Sequence, residues 1–340
     1  MTKKPRVLVV DDSAFARTVL SRLLRASGQL EVAGTARDGQ DALEKIQELD
    51  PDLVTLDLTM PVVDGIGVLR VLAGRPRPRV VVVSISSVET DLGAEALLLG
   101  AVDMVAKPTA LASDRLNELG DELIAKLVAL GGSRTEPSPD APPVAIRMLP
   151  RTSAIELVMI GTSTGGPQAL TRVISALPGN LAAPVAIVLH IPEGYTESLA
   201  ARLDKISPLH VVEASEGLEL RPGLVVLARG GSHMRVLRRG AGLRVEVGHT
   251  PVTPFTPSVD ELFTSGALAV GSGALGVVLT GMGDDGLIGA RAIAEAHGSL
   301  ITEAASTCVV YGMPRAVQQA GLGATSIPLD RIAKEIARRV

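Results

Sequence analysis

Five prolines, Pro137, Pro139, Pro142, Pro143 and Pro150, fall within residues 131–150, a stretch that opens with Gly131-Gly132-Ser133. Proline fixes φ and has no amide hydrogen to donate, so neither a helix nor a sheet interior can absorb such a run. The stretch predicts an extended linker, and the chain around it must fold as two bodies, residues 1–130 and residues 151–340. The length of 340 residues agrees, because it exceeds what one core of ordinary size organises. Charge divides at the same place. Residues 1–130 hold 15 Lys+Arg against 19 Asp+Glu, net −4, while the remainder holds 18 against 18, net zero.

In the first body, short apolar runs at 6–10, 31–34, 53–57, 80–84 and 104–106 alternate with amphipathic stretches. Strand followed by helix, repeated five times, predicts a doubly wound five-stranded parallel sheet whose ligands bind at the carboxyl ends of the strands. The second body begins in the same manner, with apolar strands at 155–160 and 184–189 around a helix at 167–177. Its middle differs: 233–239 and 243–247 flank Gly240-Ala241-Gly242 and predict a β-hairpin carrying Arg235, Arg238, Arg239 and Arg244. The second body is therefore expected to be a mainly parallel α/β fold with one hairpin. Its arginines read as a solvated face, with a docking patch for an acidic partner as the alternative.

Composition removes several functions. Three Phe, two Tyr and no Trp leave too few rings to stack successive bases, and the net charge of −4 offers no general attraction for phosphate backbones. No nucleic-acid partner is expected. A single cysteine, Cys308, can form neither an intrachain disulfide nor a thiolate zinc site, which suits a reducing, cytoplasmic setting. The amino terminus is basic, but the apolar run 7–10 stops at Asp11 and Asp12, too short for a signal peptide. Residues 262–283 form 22 uncharged positions, long enough to cross a bilayer, yet they include six glycines. They read better as a helix end, a Gly-rich turn and a buried strand at 276–280, so no direct membrane insertion is expected.

Four polar elements fall at the carboxyl ends of strands in the first body: Asp11-Asp12, Asp57, Ser84 and Lys107. Each alone can be a helix cap or a loop residue. Together they place three carboxylates in one crevice, a repulsion that a hard divalent cation with oxygen ligands relieves. A lysine and a hydroxyl opposite the metal can then hold a phosphoryl group moving onto Asp57. This constellation, with the run Leu56-Asp57-Leu58-Thr59-Met60-Pro61-Val62-Val63-Asp64-Gly65, resembles the receiver domain of bacterial two-component response regulators over about residues 5–126. The resemblance implies a flavodoxin-like fold and phosphorylation of Asp57 by a sensor histidine kinase. It further implies Mg²⁺ held by Asp12, Asp57 and the Thr59 backbone carbonyl with support from Asp11, and a phosphoryl group read by Ser84 and Lys107. One departure is that Met104 stands where the family usually carries an aromatic switch residue.

In the second body the strand 155–160 runs into Gly161-Thr162-Ser163-Thr164-Gly165-Gly166-Pro167 and a helix. A P-loop needs Lys and Ser or Thr after Gly166, where Pro167 and Gln168 stand; a dinucleotide fingerprint needs glycine at Ser163. Gly271 to Gly276 does spell that fingerprint, but it precedes a strand instead of following one. What remains is G-x-S-x-G at a strand-to-helix turn, which exposes the serine oxygen and aims the Thr164 and Gly165 amides at a developing oxyanion. Ser163 as a mere helix cap is the competing reading. Of His190, His210, His233, His249 and His297, His190 is best placed as a base, at the carboxyl end of its strand. His297 reads as a helix-end residue and His210 as a hydrogen-bonded core histidine. For an orienting acid, Asp284, Asp285 and Asp260 all qualify, and each is also plausible as a helix-start residue.

The order Ser, His, Asp differs from that of α/β-hydrolases. With the words 160–167, His190-Ile191-Pro192-Glu193-Gly194-Tyr195-Thr196, 257–263, 279–286 and Tyr311-Gly312-Met313-Pro314, it resembles the catalytic domain of the chemotaxis protein-glutamate methylesterases. The resemblance places the triad on Ser163, His190 and Asp285, with Thr164 and the backbone at Met282 beside the oxyanion. It implies hydrolysis of glutamate γ-methyl esters on methylated chemoreceptors, deamidation of receptor glutamines, and no cofactor in the esterase site. It also implies that the receiver covers that site until Asp57 is phosphorylated. Asp284 takes the place of an asparagine common in the family. Two other classes fit the sequence less well: a DNA-binding regulator, for which the neutral second body offers no basic recognition helix, and a receptor adaptor with a dead esterase site, against which intact Ser163, His190 and Asp285 argue.

Overall fold

The computed structural model describes residues 3–75, 77–85, 90–107, 113–132 and 154–340, which form two compact units. The first contains β1 (Arg6–Val10), α1 (Ala14–Ala26), β2 (Glu31–Ala36), α2 (Gly39–Leu49), β3 (Leu53–Leu56), α3 (Gly65–Leu72), β4 (Arg79–Ile85), α4 (Thr90–Leu98), β5 (Asp103–Lys107) and α5 (Ser113–Gly132). Its strands pair in parallel in the order β2-β1-β3-β4-β5. Val7, Leu8, Val9, Val54 and Leu56 are wholly buried, as continuous apolar strands must be when helices cover both faces. Local chemistry starts the helices: Ser13, Asp38 and Asp64 each accept an amide hydrogen bond at the N-terminus of α1, α2 and α3, each cap being worth about 1 kcal/mol.

The second unit contains β6 (Leu157–Thr162), α6 (Gly166–Ala176), β7 (Val185–Leu189), α7 (Thr196–Ile206), β8 (His210–Glu213), β9 (Glu219–Leu220), β10 (Leu224–Leu227), β11 (His233–Arg239) and β12 (Gly242–Gly248). It continues with α8 (Val259–Val270), β13 (Ala274–Val278), α9 (Leu287–Glu295), β14 (Ser299–Glu303), α10 (Met313–Gln319), β15 (Thr325–Ile327) and α11 (Leu329–Arg339). Seven strands form a parallel sheet in the order β15-β14-β13-β6-β7-β10-β8, and β11-β12-β9 form a small antiparallel sheet. The expected architecture, two parallel α/β units with a hairpin in the second, is what the chain adopts. The uncharged stretch 262–283 resolves into the end of α8, a turn and β13, and no helix among the described residues is long and apolar enough to cross a membrane.

In each sheet two neighbouring strands send their connections in opposite directions, and ligands of open α/β sheets bind outside the strand ends at such a point. In the first unit that point lies between β1 and β3, above which stand Asp11, Asp12 and Asp57; in the second it lies between β6 and β13.

Three expectations change. Helix α5 runs through Gly132, so the first two residues assigned to the linker are helical; residues 133–150, with all five prolines, lie outside the described residues. His210 is hydrogen-bonded, Nδ1 to Asp204 at 2.9 Å, but it is exposed instead of buried, because β8 is an edge strand and His210 is its first residue. The hairpin arginines keep the expected solvated face in part, since Arg238, Arg239 and Arg244 are exposed and only Arg235 is half-buried, but three of the four are also bonded within the unit. Arg235 pairs with Glu261 at 2.7 Å and Glu246 at 3.2 Å, Arg238 with Glu156 and the Ala269 carbonyl, and Arg244 with the Gly217 carbonyl. The face of the hairpin opposite Arg235, Arg239 and Arg244 carries Met234, Val236 and Val245, which are buried in a cluster with Phe263 of α8. Arg235 and Arg238 thus tie the hairpin to neighbouring carboxylates, while Arg239 and Arg244 stay at the surface.

Candidate active site

Strand β6 delivers the chain to Ser163-Thr164-Gly165, the turn that precedes α6. Gly165 has φ +81°, and a Cβ there would lie 2.6 Å from the Cβ of Val309, so both backbone conformation and space demand glycine. Thr280, two residues past β13, stitches this turn down. Its carbonyl accepts from the Ser163 amide at 3.1 Å and the Thr162 hydroxyl at 2.7 Å, and its own hydroxyl donates to the Thr164 carbonyl at 2.9 Å. Ser163 is 8% exposed.

His190 follows β7, where its amide donates to the Thr162 carbonyl at 3.1 Å and keeps the residue beside the Ser163 turn. Its Nε2 lies 2.7 Å from Oδ2 of Asp285. An ionised carboxylate only accepts, so Nε2 carries the proton and Nδ1 keeps its lone pair. Nδ1 is buried without a hydrogen-bond partner among the described residues. No hydrogen bond joins the Ser163 hydroxyl to His190; such contacts commonly tighten only around substrate.

Asp285 is held by four donors. Besides His190, the Val259 amide donates to Oδ2 at 2.7 Å, and the Ser258 hydroxyl and Asp260 amide donate to Oδ1 at 2.9 and 3.0 Å. Asp285 precedes α9 yet caps α8. Asp260 returns the arrangement: it lies in the first turn of α8 and accepts the Gly289 amide of α9 at 2.8 Å. The two carboxyls titrate apart. Burial raises the Asp260 pKa, and the neighbouring Asp285 charge adds to this, taking it to about 6. Burial also opposes the charge of Asp285, but the hydrogen bond and charge of His190 and the two amides outweigh it and hold its pKa below the usual range.

Of the acids left open by sequence, Asp285 alone meets His190, and Asp284 beside it is exposed. Met282 is half-buried. It follows Gly281, where a Cβ would lie 2.9 Å from that of Ser163. The Gly281 carbonyl accepts the Gly312 and Met313 amides, both at 3.0 Å. Thr164 is buried beside Ser163. The other histidines stand apart from this chemistry. His233 is fully buried, bonding the Pro251 carbonyl at 2.9 Å and the Ser258 amide at 3.2 Å; His249 bonds the Gly231 carbonyl; and His297 takes φ +61° just past α9.

Ser258, Thr280 and Glu303 do not stand out as site residues in the sequence, whereas Phe255, one of the few rings of the second body, lies beside its motif-bearing segments and is expected to shape the active-site loops. Of the first three, only Ser258 and Thr280 carried a signal, since they lie in words that bore the resemblance. Glu303 is wholly buried below the site, accepting the Thr280 amide at 2.8 Å, and burial raises its pKa. Cys308 lies near it, and burial together with the Glu303 charge pushes its thiol far above the ordinary value. A protonated thiol is a poor nucleophile. Treatment with iodoacetamide is therefore expected to leave turnover unchanged; a loss of rate paralleling Cys308 modification would contradict the assignment.

In the first unit, ligand oxygens of Asp11, Asp12 and Asp57 lie within 4.8 Å of one another, with Asp12 exposed and the other two buried. Lys107 closes the crevice, its Nζ 2.7 Å from both Asp11 and Asp57. Burial disfavours its charge, but the two carboxylates overcome this and raise its pKa. Ser84 is fully buried near the end of β4, paired in register with Ala106, one residue before Lys107. A set of hard carboxylate oxygens with one side open fits a divalent cation. Met104 is 1% exposed, and its carbonyl accepts from the buried Lys126, which is also paired with Asp103 at 2.9 Å.

Comparison with known proteins agrees with both units. The family model described as CheB methylesterase matches residues 158–336, and that described as response regulator receiver domain matches residues 7–118. The protein-glutamate methylesterase/protein-glutamine glutaminase 5 of Myxococcus xanthus is 55% identical over 98% of each chain. The protein-glutamate methylesterase/protein-glutamine glutaminase of Symbiobacterium thermophilum is 45% identical over 98% of this chain and 97% of its own. The crystal structure of the Thermotoga maritima CheB methylesterase catalytic domain superposes with a TM-score of 0.54 at 36% identity, covering 55% of this chain and 100% of that one. Two family models in this order and near full-length relatives leave one assignment: the chain belongs to the CheB methylesterase family, with a response regulator receiver domain preceding the catalytic one.

Proposed function

We propose that this chain is a phosphorylation-regulated serine esterase that removes methyl groups from glutamate γ-methyl esters on chemoreceptors, and that the same site deamidates receptor glutamines. The contact of 2.7 Å between His190 and Asp285 at the sheet's switch point, beside the Ser163 turn, carries the reading. Ser163 Oγ attacks the ester carbonyl carbon while Nδ1 of His190, the nitrogen not engaged by Asp285, takes its proton. The amides of Thr164 and Gly165 and the backbone at Met282 hold the oxyanion, at the positive end of α6. The imidazolium then gives its proton to the departing methoxide, which leaves as methanol. Water, deprotonated by the same nitrogen, hydrolyses the acyl-enzyme to glutamate and free Ser163. Asp285 orients the ring and stabilises its charged form. This use of the two ring nitrogens is the reverse of the familiar serine-protease arrangement, in which the acid bonds Nδ1.

In this reading residues 1–130 are the receiver, 131–150 the linker and 151–340 the catalytic domain, working in the cytoplasm. Asp57 accepts a phosphoryl group from a sensor histidine kinase, and Lys107 and Ser84 bind its oxygens. Asp11, Asp12, Asp57 and the Thr59 carbonyl would hold Mg²⁺, which when bound neutralises negative charge as the phosphoryl group arrives. Phosphorylation shifts the population toward the active arrangement.

Methanol release from methylated receptor membranes, with and without a small phosphodonor, tests the reading. The phosphodonor should raise the wild-type rate, and Asp57→Asn or chelation of divalent ions should remove that stimulation while leaving the unstimulated rate. A wild-type rate indifferent to the phosphodonor would refute the regulation, and an Asp57→Asn protein that is still stimulated would refute the acceptor.

A further inference from the structure

The half-buried ring of Phe255 lies face to face with the imidazole of His190, their centroids 4.3 Å apart and their planes 4° from parallel. None of the chemistry above uses it. Phe255 opens a segment that continues through Ser258, Val259 and Asp260, the three residues that donate to Asp285. One stretch of chain therefore touches the base through a ring and the acid through three hydrogen bonds. It is itself held from outside: the Ser258 amide donates to the buried His233 at 3.2 Å, and the Thr256 carbonyl accepts the Gly231 amide at 3.2 Å.

A hydrogen bond to Asp285 fixes one atom of the imidazole and leaves its plane free to tilt about that atom. The orphaned Nδ1 makes the plane matter, since no partner on that side restrains it. A flat ring stacked on one face removes the tilt and keeps water from that face. We propose that Phe255 is a positioning residue for His190: its ring fixes the imidazole plane so that Nε2 stays on Asp285 and Nδ1 stays available to Ser163. This rests on the reading of His190 as the base. Phe255 has no proton to exchange and acts through His190 alone. Its π-face also meets the imidazolium that forms when the ring is protonated, an attraction of the cation–π kind.

The test compares the full-length wild type with Phe255→Leu, Phe255→Met and Phe255→Tyr. Methanol release from methylated receptor membranes gives kcat and KM, and proton NMR follows the His190 Nε2–H in the absence of substrate. The Leu and Met variants should lose about tenfold in kcat with KM unchanged, the size of a lost aromatic pair, and their Nε2–H resonance should broaden through faster exchange. Phe255→Tyr should retain both the rate and the sharp resonance. Two ring-free variants keep the test alive if one does not fold. Wild-type kcat with a sharp resonance in both would overturn the proposal. Should wild type and Ser163→Ala release methanol equally, the esterase reading fails instead, and the resonance alone then decides: its broadening on loss of the ring upholds the positioning role, and its persistence ends it.

Discussion

Replacing Ser163 with alanine is expected to lower methanol release from methylated receptors by a factor on the order of 10⁵ to 10⁶, the scale seen when a triad nucleophile is deleted. The loss should fall on kcat, because the substitution removes the only atom that bonds to the acyl carbon while leaving the amides of Thr164 and Gly165 in place. Folding should be almost untouched. The turn is held by the Ser163 amide on Thr280 and by the threonines on either side, none of which involves the deleted oxygen. The change in unfolding free energy should stay within about 0.5 kcal/mol. Phosphorylation of Asp57 should proceed as in wild type, since its machinery stands in the other unit. Retention of activity within tenfold of wild type would remove Ser163 from the mechanism.

Asp285→Asn should cost stability in either orientation of its amide, and rate in one of them. Oδ2 accepts from His190 and Val259, and Oδ1 from Ser258 and Asp260. An amide has one oxygen, so in either orientation its NH₂ group must face a donor. If it faces His190, the ring is driven to the tautomer with hydrogen on Nδ1, which cannot take the serine proton; the rate cost is about 10⁴-fold by analogy with the same change in a protease triad. The buried Val259 amide loses its acceptor in that same orientation, and the Asp260 amide loses its own in the other, at about 1–3 kcal/mol. Steady-state kinetics and urea unfolding on one preparation separate the terms. Undiminished kcat together with undiminished stability would rule out Asp285 as the group that holds His190 and α8; a crippled enzyme of unaltered stability would show that the exchange of caps between α8 and α9 contributes little.

The parallel sheets were legible because buried strands must be apolar along their length and because the residues that break such runs, Asp11, Asp57, Ser163 and His190, stand where strands end. The choice among Asp260, Asp284 and Asp285 was not. All three sit at helix starts, where aspartate is favoured for local reasons alone. Asp284 and Asp285 are neighbours in sequence, yet one is exposed and the other buried under four donors from segments 25 to 95 positions away. The hairpin arginines illustrate the same limit: a basic stripe has one appearance in sequence, yet Arg235 and Arg238 meet the carboxylates of Glu156, Glu246 and Glu261 while Arg239 and Arg244 stay exposed.

Sequence by itself determined the division into two α/β bodies, the order of the elements and the inventory of reactive groups, since these follow from local apolar patterning, backbone constraints and residue chemistry. Tertiary structure alone decided which aspartate serves His190, which ring nitrogen is left with its lone pair, and that Phe255 lies on the imidazole. The direction of a hydrogen bond and the tilt of a ring are set by where distant segments come to rest, and no spacing along the chain encodes them.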